Sequence, residues 1–190
     1  MNIGVGLPNT LPGADGELIV EWARRADSGP FSSVAVLDRI VYDSYEPFTA
    51  LAAAAAVTTR VRLATMIAIG PLRSSAFLAK QAGSVAALSG GRMTLGLGVG
   101  GRKDDYEASG VELKTRGRRL SEQLAFLRAQ WRDSEIGPSA ARDGDLELLV
   151  GGAGGPAFAR MARYADGYAH GGGPRSACLL YTSPSPRDRS

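Results

Sequence analysis

The sequence predicts an α/β fold of the (β/α)₈ barrel type, with about six of the eight βα units present. Three observations carry this expectation. Strand-like and helix-like segments alternate along the chain. The first four strand-like segments begin at Ile3, Ser33, Val61 and Arg92, a repeat of about 30 residues. Ser33–Leu37 is a continuous apolar run, as expected of a parallel strand covered on both faces. Repeated βα units of this size make a parallel sheet, either closed as a barrel or open and doubly wound.

Each element has its own signal. Ile3–Leu7 is a short apolar run closed by Pro8. Asp15 is placed to cap a helix, with Glu17 in its first turn. Leu18, Trp22 and Ala26 recur at one helical face, and Gly29-Pro30 ends the segment. Ser33–Leu37 is the second strand. Pro47 opens a strongly helix-forming stretch, Phe48–Val57. Val61–Ile69 is the third strand. Ser74 or Ser75 caps a helix to about Leu88, stopped by Gly90-Gly91. Met93–Val99 is the fourth strand, followed by a polar loop at Arg102–Tyr106. A helix over Arg116–Trp131 places Leu120, Leu124, Leu127 and Trp131 on one face. Leu146–Val150 is a fifth strand, Pro156 opens a helix to about Ala165, and Gly167–His170 begins a sixth strand.

Six strands leave a barrel two short of closure. Such a chain is expected to be inactive and prone to aggregate, because its first and last strands have open edges. From Cys178 the text reads Cys-Leu-Leu-Tyr-Thr-Ser-Pro-Ser-Pro-Arg-Asp-Arg-Ser, with neither helical nor strand periodicity. The string resembles a translated transposon-type sequencing adapter. The expected organisation is therefore one partial barrel domain over 1–177 and a non-native tail over 178–190.

Composition narrows the function classes. The chain has 190 residues, 44% hydrophobic and 22% charged, with a net charge of +3, as in ordinary globular proteins. Arg116-Gly117-Arg118-Arg119 is the densest basic stretch, and no aromatic-interleaved basic patch points to nucleic acid. One Cys excludes a disulfide framework, and one His disfavours His-based metal ligation or a catalytic triad. There is no signal-peptide pattern and no apolar run of the roughly 20 residues that a membrane span needs. The expectation is a cytoplasmic protein without membrane, nucleic-acid or metal partners.

The candidate functional residues lie at strand ends, where (β/α)₈ barrels carry function. Gly96, Gly98 and Gly101 match the dinucleotide-binding spacing G-x-G-x-x-G. In a Rossmann unit, however, that motif follows the first strand and opens directly into a helix. Two other readings stand beside it: glycines that permit close packing, or a flat backbone surface on which a planar ring can lie. Gly151-Gly152-Ala153-Gly154-Gly155-Pro156 could curve backbone N–H groups around a phosphate in front of a helix N-terminus, or serve only as a flexible loop. Asp38 ends the second strand, as either a ligand contact or an ordinary loop carboxylate. His170 ends the sixth, as a ligand contact or a structural histidine.

Three segments together resemble the luciferase-like family of flavin- and coenzyme F420-dependent oxidoreductases. They are Thr65–Arg73, Leu88–Gly100, and Leu149–Gly152 with Ala162–Tyr168. The resemblance implies a barrel whose cofactor ring lies over the carboxyl ends of the strands. It implies a non-prolyl cis peptide at Met66–Ile67 that supports the ring. Asp38 matches a cofactor-contacting acidic position of F420-dependent members. Val99 and Gly100 match backbone contacts to the ring, and Gly151 and Gly152 match contacts to the cofactor phosphate. Gly101 and Arg39 depart from a sugar-phosphate dehydrogenase branch, which has Glu and His there. The resemblance thus implies reduced FMN or coenzyme F420 as cofactor and a small organic substrate. In the FMN case O₂ and a flavin reductase are implied partners, and the parent is expected to be a homodimer. A non-catalytic flavin-binding protein is the alternative from another class. The catalytic acid or base is unassigned.

Overall fold

Short apolar runs separated by helices form parallel strands joined by right-handed crossovers, and they stay in sequence order when each new strand is added on the same side of the last. The computed structural model describes residues 2–133, 136–138 and 146–170, and it shows this arrangement. The strands are β1 (Gly4–Gly6), β2 (Ser33–Val36), β3 (Arg62–Thr65), β4 (Ala68–Ile69), β5 (Met93–Gly98), β6 (Glu147–Gly151) and β7 (Gly167–Ala169). All pairings are parallel, in the order β1-β2-β3-β5-β6-β7, with β4 continuing the β3 position and pairing with β5. The sheet curls into a half-barrel of six strand positions, and β1 and β7 are its two ends among the described residues. A doubly wound dinucleotide fold would reverse strand order at a switch point; this sheet does not, so the Rossmann reading falls. The tail from Cys178 and the glycines after His170 lie outside the described residues.

The helices are α1 (Gly16–Ser28), α2 (Pro47–Val57), α3 (Ser75–Leu88), α4 (Lys103–Ala108), α5 (Arg116–Asp133) and α6 (Gly155–Tyr164). The expected caps form. Asp15 accepts from the Leu18 N–H and Ser74 from the Phe77 N–H. Gly90 and Gly91 end α3 at φ +63° and +83°, values that glycine adopts without a Cβ penalty. One face of the sheet packs on the helices. Val34, Val36, Leu63, Met93, Leu95, Leu97, Leu148 and Val150 lie there against Leu51, Leu78, Leu120, Leu124 and Leu127, all essentially inaccessible.

Four expectations are corrected. The inward face of α1 is Ile19, Ala23 and Ala26, while Leu18 and Trp22 are exposed. The two alanines let α1 approach the alanine-rich α2, where an indole would hold them apart. The second strand ends at Val36, and Leu37, just past it, is exposed at the cavity. The third strand is broken at Met66–Ile67 into β3 and β4. The stretch read as polar loop after the fourth strand contains α4, with Asp104 and Asp105 in its first turn and Tyr106 buried. Among the described residues, no helix is long and apolar enough to cross a membrane.

Candidate functional site

Five strand ends converge at the carboxyl end of the sheet and enclose a cavity of about 660 Å³. Asp38, Met66, Ile67, Val99, Gly100, Gly151 and Gly152, widely separated in sequence, all border it. His170 borders it as well.

The break in the third strand shapes the floor. The Met66–Ile67 peptide is cis. Thr65 Oγ1 accepts from the Gly96 N–H at 2.9 Å and donates to the Gly96 carbonyl at 2.8 Å, locking β3 to β5 beside the break. A Cβ on Gly96 would strike the Thr65 carbonyl, and one on Gly98 would strike Ile67 Cδ1. On Gly151 it would come within 2.7 Å of the same Ile67 methyl. Close packing therefore explains Gly96 and Gly98: they make room for the rerouted strand and its isoleucine. Gly100 differs. Its φ is +63°, and a Cβ would lie 2.8 Å from Ile69 Cγ2. Backbone is thus the only surface it can offer the cavity.

Asp38 has a buried carboxylate with both oxygens engaged. Oδ2 accepts from the Ile69 N–H at 2.7 Å and from Arg73 Nη1 at 2.5 Å, and Oδ1 accepts from Arg73 Nη2 at 3.1 Å. This fork-to-fork pair ties the end of β2 to the residues just past the cis bond. Arg73 also pairs with Glu46 at 3.2 Å. Burial opposes its charge, but Asp38 and Glu46 outweigh that and raise its pKa.

On the opposite wall, Gly152 has φ +146°, and a Cβ there would lie 2.8 Å from Ala157 Cβ in the first turn of α6. Gly154 caps α6 without a side chain, and Pro156 sits in the first turn. The Gly152 carbonyl accepts from the Tyr168 hydroxyl. A glycine loop thus runs directly in front of a helix N-terminus, the arrangement that suits an anionic group.

Sequence reasoning missed the groups on the β2–α2 loop and on α4. Leu37, Arg39, Tyr42 and Arg102 also border the cavity. Arg39 Nε donates to Asp105 at 2.8 Å, its Nη2 to Asp104 at 3.1 Å, and its guanidinium lies 5.4 Å from the Tyr42 ring centre. Burial alone would raise the Asp105 pKa, yet the Val41 and Ile40 N–H groups and Arg39 hold it below the ordinary value. The available signal was the acidic pair Asp104-Asp105 ahead of Tyr106, a helix start too short to show periodicity.

Flat glycine backbone at Gly100, apolar walls at Met66, Ile67, Ile69 and Val99, and an anion-suited loop at Gly151–Gly152 fit a planar ring bearing a phosphate. Known proteins define the class. The model of the luciferase-like monooxygenase family matches residues 1–178, and the chain belongs to that family. An uncharacterised protein of Mycobacterium tuberculosis is 34% identical over an alignment covering 80% of this chain and 64% of that protein. The chain thus spans under two thirds of such a relative's length. Among solved structures, the oxygenating constituent of 3,6-diketocamphane monooxygenase from Pseudomonas putida, in complex with FMN, is similar with a TM-score of 0.73. Its identity is 20%, over 88% of this chain and 56% of that one. The coenzyme F420-dependent tetrahydromethanopterin reductase from Methanopyrus kandleri has a TM-score of 0.69 at 17% identity, over 88% of this chain and 55% of that one. At these identities the likeness is one of fold.

Proposed function

We propose that the intact protein is an oxidoreductase that holds reduced FMN, or in a second reading coenzyme F420, in this cavity and acts on a small organic substrate. The observation that carries the reading is the convergence of Asp38, Met66, Ile67, Val99, Gly100, Gly151 and Gly152 on one cavity at the carboxyl ends of the strands. The F420 reading is favoured by the likeness to the reductase from Methanopyrus kandleri, and the FMN reading by the likeness to the monooxygenase from Pseudomonas putida.

The bound cofactor would supply the redox chemistry, by oxygenation with O₂ for FMN and a flavin reductase, or by hydride transfer for F420. The protein's own part is positional. Met66–Ile67 and Val99–Gly100 offer backbone to the ring, while Ile69 and Leu37 line the cavity with apolar surface. Gly151–Gly152 and the N-terminus of α6 receive the phosphate. Asp38 contributes by fixing Ile69 and Arg73, because its oxygens are already engaged.

Fluorescence titration of the intact protein with FMN, F420 and NAD⁺ tests the assignment. One of the first two rings is expected to be quenched at micromolar concentration. No quenching of either at high micromolar concentration overturns the reading. Substrate-dependent oxidation of NAD(P)H or reduced F420 separates an enzyme from a non-catalytic flavin binder.

A further inference from the structure

We infer that Asp105 and Tyr106, adjacent residues of α4, form a clasp that sets the spacing between two walls of the cavity. Both are positioning residues. Their side chains are buried, yet they reach the segments that follow two different strands. Asp105 Oδ1 accepts from the Ile40 N–H at 2.9 Å and the Val41 N–H at 2.8 Å, and Oδ2 accepts from Arg39 Nε at 2.8 Å. The Tyr106 hydroxyl donates to the Val99 carbonyl. One short helix therefore grips the loop that follows β2 and the residue just past the end of β5. These strands are not neighbours, since β3 lies between them. The clasp spans the place where β3 breaks at Met66–Ile67.

The loop after β2 needs such a grip. Ile40, Val41 and Tyr42 are 42%, 47% and 47% exposed, so burial of their side chains does little to hold the backbone in place. Hydrogen bonds to a buried carboxylate do hold it, and such a carboxylate is costly to leave without partners. The helix is itself secured. Ser109 Oγ donates to the Asp105 carbonyl at 2.7 Å, and the Val111 N–H donates to the Tyr106 carbonyl at 3.0 Å. Two walls bordering the cavity, Leu37–Tyr42 and Val99–Arg102, thus move together or not at all.

The effect on ligand rests on the cofactor reading above, whereas the coupling of the walls does not. The test uses Tyr106→Phe, which removes one hydroxyl, and Asp105→Asn, which sets an amide NH₂ against Arg39 Nε. Both substitutions keep side-chain volume nearly constant. Amide hydrogen exchange is measured at Ile40 and Val41 and at Gly100 and Gly101 in the intact protein. Each variant is expected to speed exchange on both walls. Each should also raise the Kd for FMN or F420 about 3- to 10-fold and alter the visible absorption band of the bound ring. Exchange that rises only on the wall each residue touches overturns the clasp. So do two loosened walls with an unchanged Kd and band in a protein whose wild type binds the ring. A wild type that binds neither ring refutes the function, and the exchange pattern then judges the clasp alone.

Discussion

The two ends of this sheet treat polar groups in opposite ways. At the amino end, carbonyls at and just past the helix ends are satisfied by arginines from the loops there. Arg60 donates to the Ala26, Asp27, Gly29 and Phe31 carbonyls at 2.7–3.2 Å. Arg92 does the same for Thr58, Val61 and Ser89. Asp27 accepts the Thr59, Arg60 and Val61 N–H groups at 2.9–3.0 Å. At the carboxyl end, buried carboxylates pair with arginines, as in Asp38–Arg73 and Asp105–Arg39, while also accepting backbone N–H groups. Glycine backbone and large apolar side chains are left facing the cavity. The difference follows from helix direction. In βα units the last turn of each helix, with its unpaired carbonyls, points to the amino end, while helix N-termini point to the ligand end. One end is tied down by these bonds, and the other borders the cavity in which we propose the cofactor binds.

Arg60→Ala tests the amino end most severely. It removes five donated hydrogen bonds, three to the Ala26 and Asp27 carbonyls of α1 and two to the Gly29 and Phe31 carbonyls just past it. The expected loss is about 2–4 kcal/mol in urea unfolding, with the cofactor Kd of the folded protein within about twofold of wild type. A Kd that worsens in step with stability would break the division between the ends.

Acid titration sharpens the same point. Burial opposes ionisation of Asp27, but the Val61, Thr59 and Arg60 N–H groups and the Thr59 hydroxyl outweigh it and hold the pKa at about 2, against 3.8 for a free group. A depressed folded pKa contributes stability above the unfolded value and loses it as pH falls through the folded one. The contribution, about 1.5 kcal/mol after solvent screening, should disappear between about pH 4 and pH 2. Asp27→Asn should flatten that window in a pH series of thermal melts. An unchanged slope would show that Asp27 titrates alike in folded and unfolded chains.

Legibility divides along the same line. The helices with caps at Asp15 and Ser74, the leucine face of α5 and the βα repeat were visible, because period and capping chemistry are local. Of the seven cavity residues, Asp38 and the Gly151–Gly152 pair are singled out by strand-end position and glycine-loop chemistry, whereas Met66, Ile67, Val99 and Gly100 rest on the resemblance, because apolar side chains and one glycine carry no reactive group. Asp105, Arg60 and Arg92 were not found. Their partners lie about 30 to 65 residues away, at separations that no local pattern encodes. Trp22 shows the converse. An i, i+4 pattern proposed it for the core, but how closely two helices approach decides the face, and alanines won.

Gly152→Val is the smallest expected effect and discriminates most finely. The substitution has two consequences with separate readouts. A φ of +146° is strained for any L side chain, and the Cβ would press on Ala157, so the loop should lose about 1 kcal/mol of stability. The same side chain would stand between the glycine loop and the N-terminus of α6, where the phosphate is proposed to sit. Affinity for FMN should therefore fall about tenfold, equivalent to 1.4 kcal/mol. Riboflavin, which has the ring without the phosphate, should lose about twofold at most, because the proposed ring contacts at Val99–Gly100 lie on a different strand end. Both are measured by fluorescence quenching on one protein preparation, so the ratio of the two losses does not depend on the folded fraction. An equal loss for both would mean that Gly152 serves only the local fold. The carboxyl end would then hold its phosphate elsewhere, with Arg102 at the cavity rim as the next cation to remove.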